Sequence, residues 1–367
     1  MANSNDLNSV IVGGSNVEPN TRNQSNLPFH YFGNDNKPRR VLTFIDDDGG
    51  AFVLDQISTD DGTFNANGNF PGFWLSDKEV IDNDKIHYHG VIDQINTKYP
   101  GMFPDNPDNH FQNLNFKMGF AIITRFSGDA EGPDTPTTPT HEYGYLTKDQ
   151  VTTLQTAGYE IYSHTENHID ANIPGNLRLL STEYCDSKKW LNENGFSDNS
   201  NVLVYPGGLN PDQQDNFESV VSVVRSSGYD YAINTELADN FHPKDGDEDF
   251  TFRRINFDEH TYDEIINIIE SSSYSIDHSK NPPSTAPTDI TDRDGWFIAM
   301  THAYVIKNDQ SYKNIYYDDK KQLLYNESLD INVFKAKQDK ILAVVQYCFD
   351  NNIDILPFSE AVKCYNK

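Results

Sequence analysis

From residue 116 to the C-terminus, short β-branched and aromatic runs alternate with stretches of helical spacing, and that alternation restricts the chain to α/β architectures. The runs are Phe116–Thr124, Tyr159–Tyr162, Asn201–Tyr205, Tyr229–Ile233, Phe252–Ile255, Gly295–Thr301 and Ile353–Leu356, with Arg40–Ile45 standing well ahead of them. Between them, helical spacing follows an N-cap at Thr147 until Gly158, surrounds Glu183, Trp190 and Leu191 up to Asn194-Gly195, and fills Phe217–Ser227 and Val333–Asn351. The expected product is one barrel-like α/β domain over residues 39–367, without a short sequence repeat.

The strands end in chemistry. Arg40–Ile45 runs into Asp46-Asp47-Asp48-Gly49-Gly50, and the end of a strand is where barrels and open α/β sheets keep their sites. Taken alone, the same five residues describe a solvated turn equally well. Tyr159–Tyr162 delivers Ser163-His164-Thr165-Glu166-Asn167-His168. Four residues on a helical turn place two imidazoles on one face, a spacing that recurs in zinc sites, although a bare pair is more often surface decoration. Asn201–Tyr205 ends in Pro206-Gly207-Gly208, which bares backbone N–H groups for an oxyanion or simply turns the chain. Gly295–Thr301 ends at His302, a residue that in isolation reads as a satisfied core histidine.

Composition removes several classes of partner. A formal net charge of -28, with no clustered Lys or Arg, argues against nucleic acid, since phosphates are bound by clustered cations. Three cysteines, Cys185, Cys348 and Cys364, make no Cys-x-x-Cys pair and are expected to be ordinary thiols. The N-terminus has neither the positive lead nor the apolar run of a signal peptide, and no window is apolar enough to span a bilayer. Residues 1–38, rich in Asn, Ser, Gly and Pro, read as a flexible N-terminal tail, a linker or an arm for attachment to a larger assembly. Residues 55–115 read as an acidic, loop-like insertion broken by one helix through Val91–Asn96. Trp74 and the other aromatics there either stack on sugar rings or, more commonly, pack beneath the loop, and His87 and His89 read as ordinary surface or packing residues.

Taken together, Asp-Asp-Asp-Gly, His-Thr-x-x-His, Tyr-Pro-Gly-Gly and Thr-His, in that order on successive strand ends, resemble the polysaccharide deacetylases with a NodB homology domain, carbohydrate esterase family 4, over residues 40–362. The best-matching stretch is Tyr145–His168, and Gly228–Ala232 and Asp354–Ala361 resemble the family's later strand and last helix. The resemblance implies a distorted (β/α) barrel of the NodB type with a long insertion after the first strand. It implies Asp47 as catalytic base, with Asp48, His164 and His168 as metal ligands and His302 as general acid. The extra aspartate leaves Asp46 and Asp47 as an alternative pair. Val204-Tyr205-Pro206-Gly207-Gly208 departs from the usual third motif in lacking its arginine, as in a variant branch that draws it from a later strand; Arg254 is the candidate here. Tyr205 and Gly207 are the implied substrate-binding residues.

Two imidazoles and a carboxylate leave a divalent cation open positions, as catalytic zinc requires; Co2+, Ni2+ and Mn2+ are alternatives. The implied reaction is removal of N-acetyl groups from a cell-wall or surface polysaccharide. Competing expectations are an O-acetyl esterase and a non-catalytic glycan-binding component of a surface or phage-tail assembly. The substrate class suggests an extracellular, cell-surface or virion-associated setting.

Overall fold

In the computed structural model the strand β1 (Arg40–Asp46) is the axis of assembly, buried at every position after Arg40. The residues described are 40–50, 53–54, 72–82, 84–99, 116–125, 127, 145–196, 201–209, 214–235, 248–271, 276–277, 284–285, 296–303, 316–317, 323–324 and 331–364. The expected arm at 1–38 and much of the expected insertion lie outside them.

After β1 come β2 (Asp77–Asp82), β3 (Asp84–His89), α1 (Val91–Lys98), β4 (Gly119–Ile122), α2 (Lys148–Thr156), β5 (Glu160–Ser163), α3 (Leu177–Glu193), β6 (Val202–Val204), α4 (Gln214–Ser226), β7 (Tyr231–Ile233) and β8 (Ile255–Asn256). Then follow α5 (Tyr262–Ser271), the short pair β9 (Ile276–Asp277) and β10 (Ser284–Thr285), β11 (Trp296–Thr301), the pair β12 (Tyr316–Tyr317) and β13 (Leu323–Leu324), α6 (Ile331–Asp350), β14 (Ile353–Ile355) and α7 (Phe358–Ala361).

The main sheet runs β7-β6-β5-β4-β1-β11-β8, and β14 also joins β1. All its pairings are parallel. Phe252 bridges to Ile233 of β7, and three residues later β8 pairs with β11, so the segment 252–256 links the two ends of the sheet. This is the α/β barrel that the alternation implies.

Strand alternation divides the core in two. Val41 and Ile45 of β1 share one cluster with Ala121, Tyr162, Val204, Ile233 and Ile298 from five other strands, which side chains can do only if the sheet curls around them. Phe358 of α7 plugs that interior, its ring centroid 5.2–6.2 Å from those of Phe252, Trp296, Tyr231 and Tyr162. Leu42 and Phe44 face outward into a second cluster beneath α1, α5 and α6. Helix α2 starts at the cap that the sequence marks. Thr147 and Gln150 form a reciprocal capping box on α2, closing two N–H groups that the first turn leaves open.

Besides the short pairs β9–β10 and β12–β13, two features escape the sequence reading. Residues 77–89, expected to be loop-like, are the hairpin β2–β3, with His87 opposite Glu79 and His89 opposite Asp77 in register. Its charged residues mask the apolar alternation that marks a half-buried strand. The second is α5, which lies where no helix is expected from the sequence. Among the described residues no helix is long and apolar enough to cross a membrane.

Candidate active site

Parallel pairing brings the C-terminal ends of β1, β5, β6, β8 and β11 to one rim. The ladder continues one step past β1, where the Asp47 N–H donates to the Thr301 carbonyl at 2.9 Å. Asp48 (φ 71°) and Gly49 (φ 61°) then turn the chain through two left-handed residues. A Cβ on Gly49 would lie 2.8 Å from Ile122, which is why a glycine closes this turn.

The turn aims the Asp48 carboxylate at the two histidines. Asp48 Oδ1 lies 3.2 Å from His164 Nε2 and 3.2 Å from His168 Nε2. His164 is buried immediately after β5, and its Nδ1 lies 2.8 Å from the Val204 carbonyl. A carbonyl can only accept, so Nδ1 carries the hydrogen and a neutral ring presents its Nε2 lone pair to the rim. His168 is more open, with a side-chain exposure of 38%.

The helical geometry expected for the pair is not what joins them. Residues 164–168 are a loop in which Thr165 (φ 67°) and His168 (φ 57°) are left-handed. Each such residue costs about 1–3 kcal/mol, and a β-branched threonine there is a genuine outlier. The imidazoles converge through that strained reversal, with ring centroids 4.8 Å apart.

The three donor atoms lie within 4.8 Å of one another, and their chemistry suits a divalent cation. Electrostatics agree. Burial pushes the Asp48 carboxyl up, but His168 and His164 outweigh it and hold the group well below the usual carboxylate range. Burial pushes His168 down, and Asp48 more than reverses this.

Asp47 has a different partner. Its Oδ1 lies 2.5 Å from Nη1 of Arg254, which is 1% exposed and anchored by a 2.7 Å bond from its Nε to the Asn234 carbonyl. Asp46, on the outward parity of Leu42 and Phe44, accepts from Trp74 Nε1 at 2.7 Å. Burial lifts its carboxyl well above the usual range, outweighing that hydrogen bond. The geometry therefore gathers Asp47 and Asp48, not Asp46 and Asp47, at the rim, and Trp74 is a packing residue.

His302 follows β11, its Nε2 3.9 Å from Asp48 Oδ2 and its Nδ1 2.6 Å from Asp258 Oδ2. Asp258, two residues past β8, also meets Lys337 Nζ at 2.5 Å, and Lys337 donates to the His302 carbonyl. Burial opposes a charged His302 imidazole, but Asp258, with Asp48 and Asp47, overrides it and raises the group to about 9. Burial likewise opposes the Asp258 carboxylate, and Lys337 and His302 hold it well below its ordinary value. Sequence reading missed Asp258. The available signal was an acid two residues beyond a strand end, on the strand adjoining the one that delivers His302.

Tyr205 is a correction. Its side chain has no exposed surface and packs with Leu203, Tyr184 and Val221, while its N–H is committed to Ile233 at 3.0 Å. Odd parity after Leu203 turns it away from the rim, so its side chain is not a substrate contact in this conformation. Gly207 and Gly208 are left-handed (φ 66° and 73°). A Cβ on Gly208 would fall 2.0 Å from Thr235 Oγ1, whereas one on Gly207 meets nothing nearer than the Asp170 carboxyl at 3.8 Å. Gly207 is exposed beside the site.

No family profile and no curated protein matches this chain. Among solved structures it is similar to the Streptococcus pyogenes deacetylase PplD in complex with acetate, at TM-score 0.28 and 19% identity, covering 38% of this chain and 52% of that one. The match thus spans about half that protein's length. It is also similar to a family 4 carbohydrate esterase from Streptomyces lividans in complex with acetate (TM-score 0.35, 8% identity, 84% and 88% covered). A third is a probable polysaccharide deacetylase from Pseudomonas aeruginosa PAO1 (0.39, 9%, 89% and 90%). At such scores the likeness decides neither fold nor activity, which rest on the side chains and pairings described above.

Proposed function

We propose that this chain is a metal-dependent deacetylase that hydrolyses N-acetyl groups of a cell-wall or surface polysaccharide. The observation that carries the reading is the convergence of Asp48, His164 and His168, flanked by Asp47 with Arg254 on one side and His302 with Asp258 on the other. A divalent cation on those three ligands, zinc by preference of the donor set, supplies an acidified water and a charge that polarises the acetyl carbonyl.

The chain supplies the rest. Arg254 donates from Nη1 to Oδ1 of Asp47 and orients it, so Asp47 accepts the proton that the attacking water gives up. The exposed Gly207 N–H offers a donor for the oxyanion, an effect worth roughly 3 kcal/mol where such donors have been removed. His302 gives its proton to the departing nitrogen, with Asp258 fixing the ring through Nδ1. An amine leaves only when protonated, and Asp258, against the pull of burial, raises the His302 imidazole above its ordinary value, which suits it to deliver that proton. This is why the reading favours N-acetyl over O-acetyl substrates.

Acetate release from N-acetylglucosamine oligomers and from O-acetylated polymers, each with and without chelator, tests the proposal. Chelator-sensitive release from the oligomers is expected. Release only from the O-acetylated polymers would make the chain an esterase, and release from neither would leave a glycan-binding protein.

A further inference from the structure

The loop that presents both histidines folds against its backbone preferences, with Thr165 and His168 left-handed, and Asn167 between them is a point at which it is held. Asn167 donates its backbone N–H to Glu183 Oε2 at 2.8 Å and its Nδ2 to Glu183 Oε1 at 2.7 Å. Its Oδ1 accepts from Arg125 Nη1 at 3.1 Å. Every polar atom of the Asn167 amide is therefore engaged. Glu183 sits on α3 and is only 4% exposed, yet both its oxygens serve this one loop residue. A buried carboxylate is costly to place, and here its two bonds fix a backbone rather than a reacting group. From the other side of the loop, the Thr124 and Arg125 N–H groups donate to the carbonyls of Thr165 and Glu166, both at 3.1 Å.

We propose that Glu183, acting through Asn167, is a positioning residue for the metal centre: it clamps the left-handed loop so that Nε2 of His164 and of His168 both reach Asp48. The inference rests on reading that cluster as a cation site, and adds a residue that touches neither cation nor substrate. Asn167 itself reaches the ion only through the backbone it shares with His168.

Two substitutions loosen the clamp differently. Glu183→Gln keeps the shape but in either amide orientation sets its NH2 against one of the two Asn167 donors, the backbone N–H or Nδ2. Asn167→Ala keeps the backbone bond to Glu183 and removes the side-chain bonds to Glu183 and Arg125. With the full chain stripped of metal, Co2+ titration followed by its visible absorption, then Zn2+ competition, gives affinity and coordination geometry for each. Both variants are expected to bind about 10–100-fold more weakly than the unsubstituted chain, with an altered Co2+ spectrum. Lys189→Ala, an exposed change on the same helix, is expected to bind as the unsubstituted chain does. General destabilisation would lower the melting temperature without changing the affinity or spectrum of the folded protein. Unchanged affinity in both variants would overturn the clamp while leaving the metal site standing. Failure of the unsubstituted chain to bind either ion would overturn both.

Discussion

Three consecutive aspartates at the end of β1 have three different environments, and strand parity assigns them. Asp46 shares the outward face of Leu42 and Phe44, Asp47 the inward face of Thr43 and Ile45, and Asp48 the left-handed turn beyond. Burial raises the Asp46 carboxyl well above its usual range, and Asp46→Asn is a near-isostere that preserves an acceptor for Trp74. That variant is expected to retain metal affinity and most activity, whereas Asp47→Asn is expected to bind metal but turn over at least about a hundredfold more slowly. Steady-state kinetics and metal titration of the pair decide between the two readings of the acidic motif. His302 gives a pH signature. Its folded value, near 9, lies above the ordinary 6.5, so the charged form is available through neutrality and lost as pH rises through about 9. The same raised value contributes folding stability that is complete below about 6.5 and fades toward 9. Asp258→Asn removes the main raising influence, and the alkaline limb of the kcat profile is expected to move toward neutrality. An unmoved limb would separate Asp258 from the acid.

Elements decide where these residues meet, and most elements were legible. The strands that deliver the aspartates and the histidines are visible as apolar runs, and Asp47, Asp48, His164 and His302 follow directly after them. Three things were not readable by pattern. The histidine pair resembled a helical turn, but spacing records separation and not the sign of φ, and two left-handed residues do the work of a helix. Tyr205 lies in the motif but on the wrong parity, so motif matching overrode the alternation that buries it. Asp258 depends on β8 lying beside β11, a long-range pairing that local sequence does not encode. The Pro206-Gly207-Gly208 turn was legible, and the structure sharpens it. Gly208→Ala forces a Cβ into Thr235 at φ 73° and is expected to destabilise the chain by more than about 1 kcal/mol in urea unfolding. Gly207→Ala meets open space and is expected to cost less stability, its effect appearing instead in kcat.

At the scale of the whole molecule, the chain carries a formal net charge of -28. A neutral acetylated glycan approaches such a protein without repulsion, while an acidic one does not. Turnover of acidic polymers is therefore expected to rise with ionic strength up to physiological salt, where screening shortens the field to about 8 Å, and turnover of neutral ones to change little. The central claim is that Asp48, His164 and His168 hold one divalent cation on which acetyl hydrolysis depends. The most direct test is acetate release from N-acetylglucosamine oligomers by chelator-stripped protein as Zn2+ is returned in measured equivalents. The account expects activity to rise to a plateau at one equivalent per chain and to stay absent in Asp48→Ala; full activity in the stripped protein, or in Asp48→Ala, would contradict it.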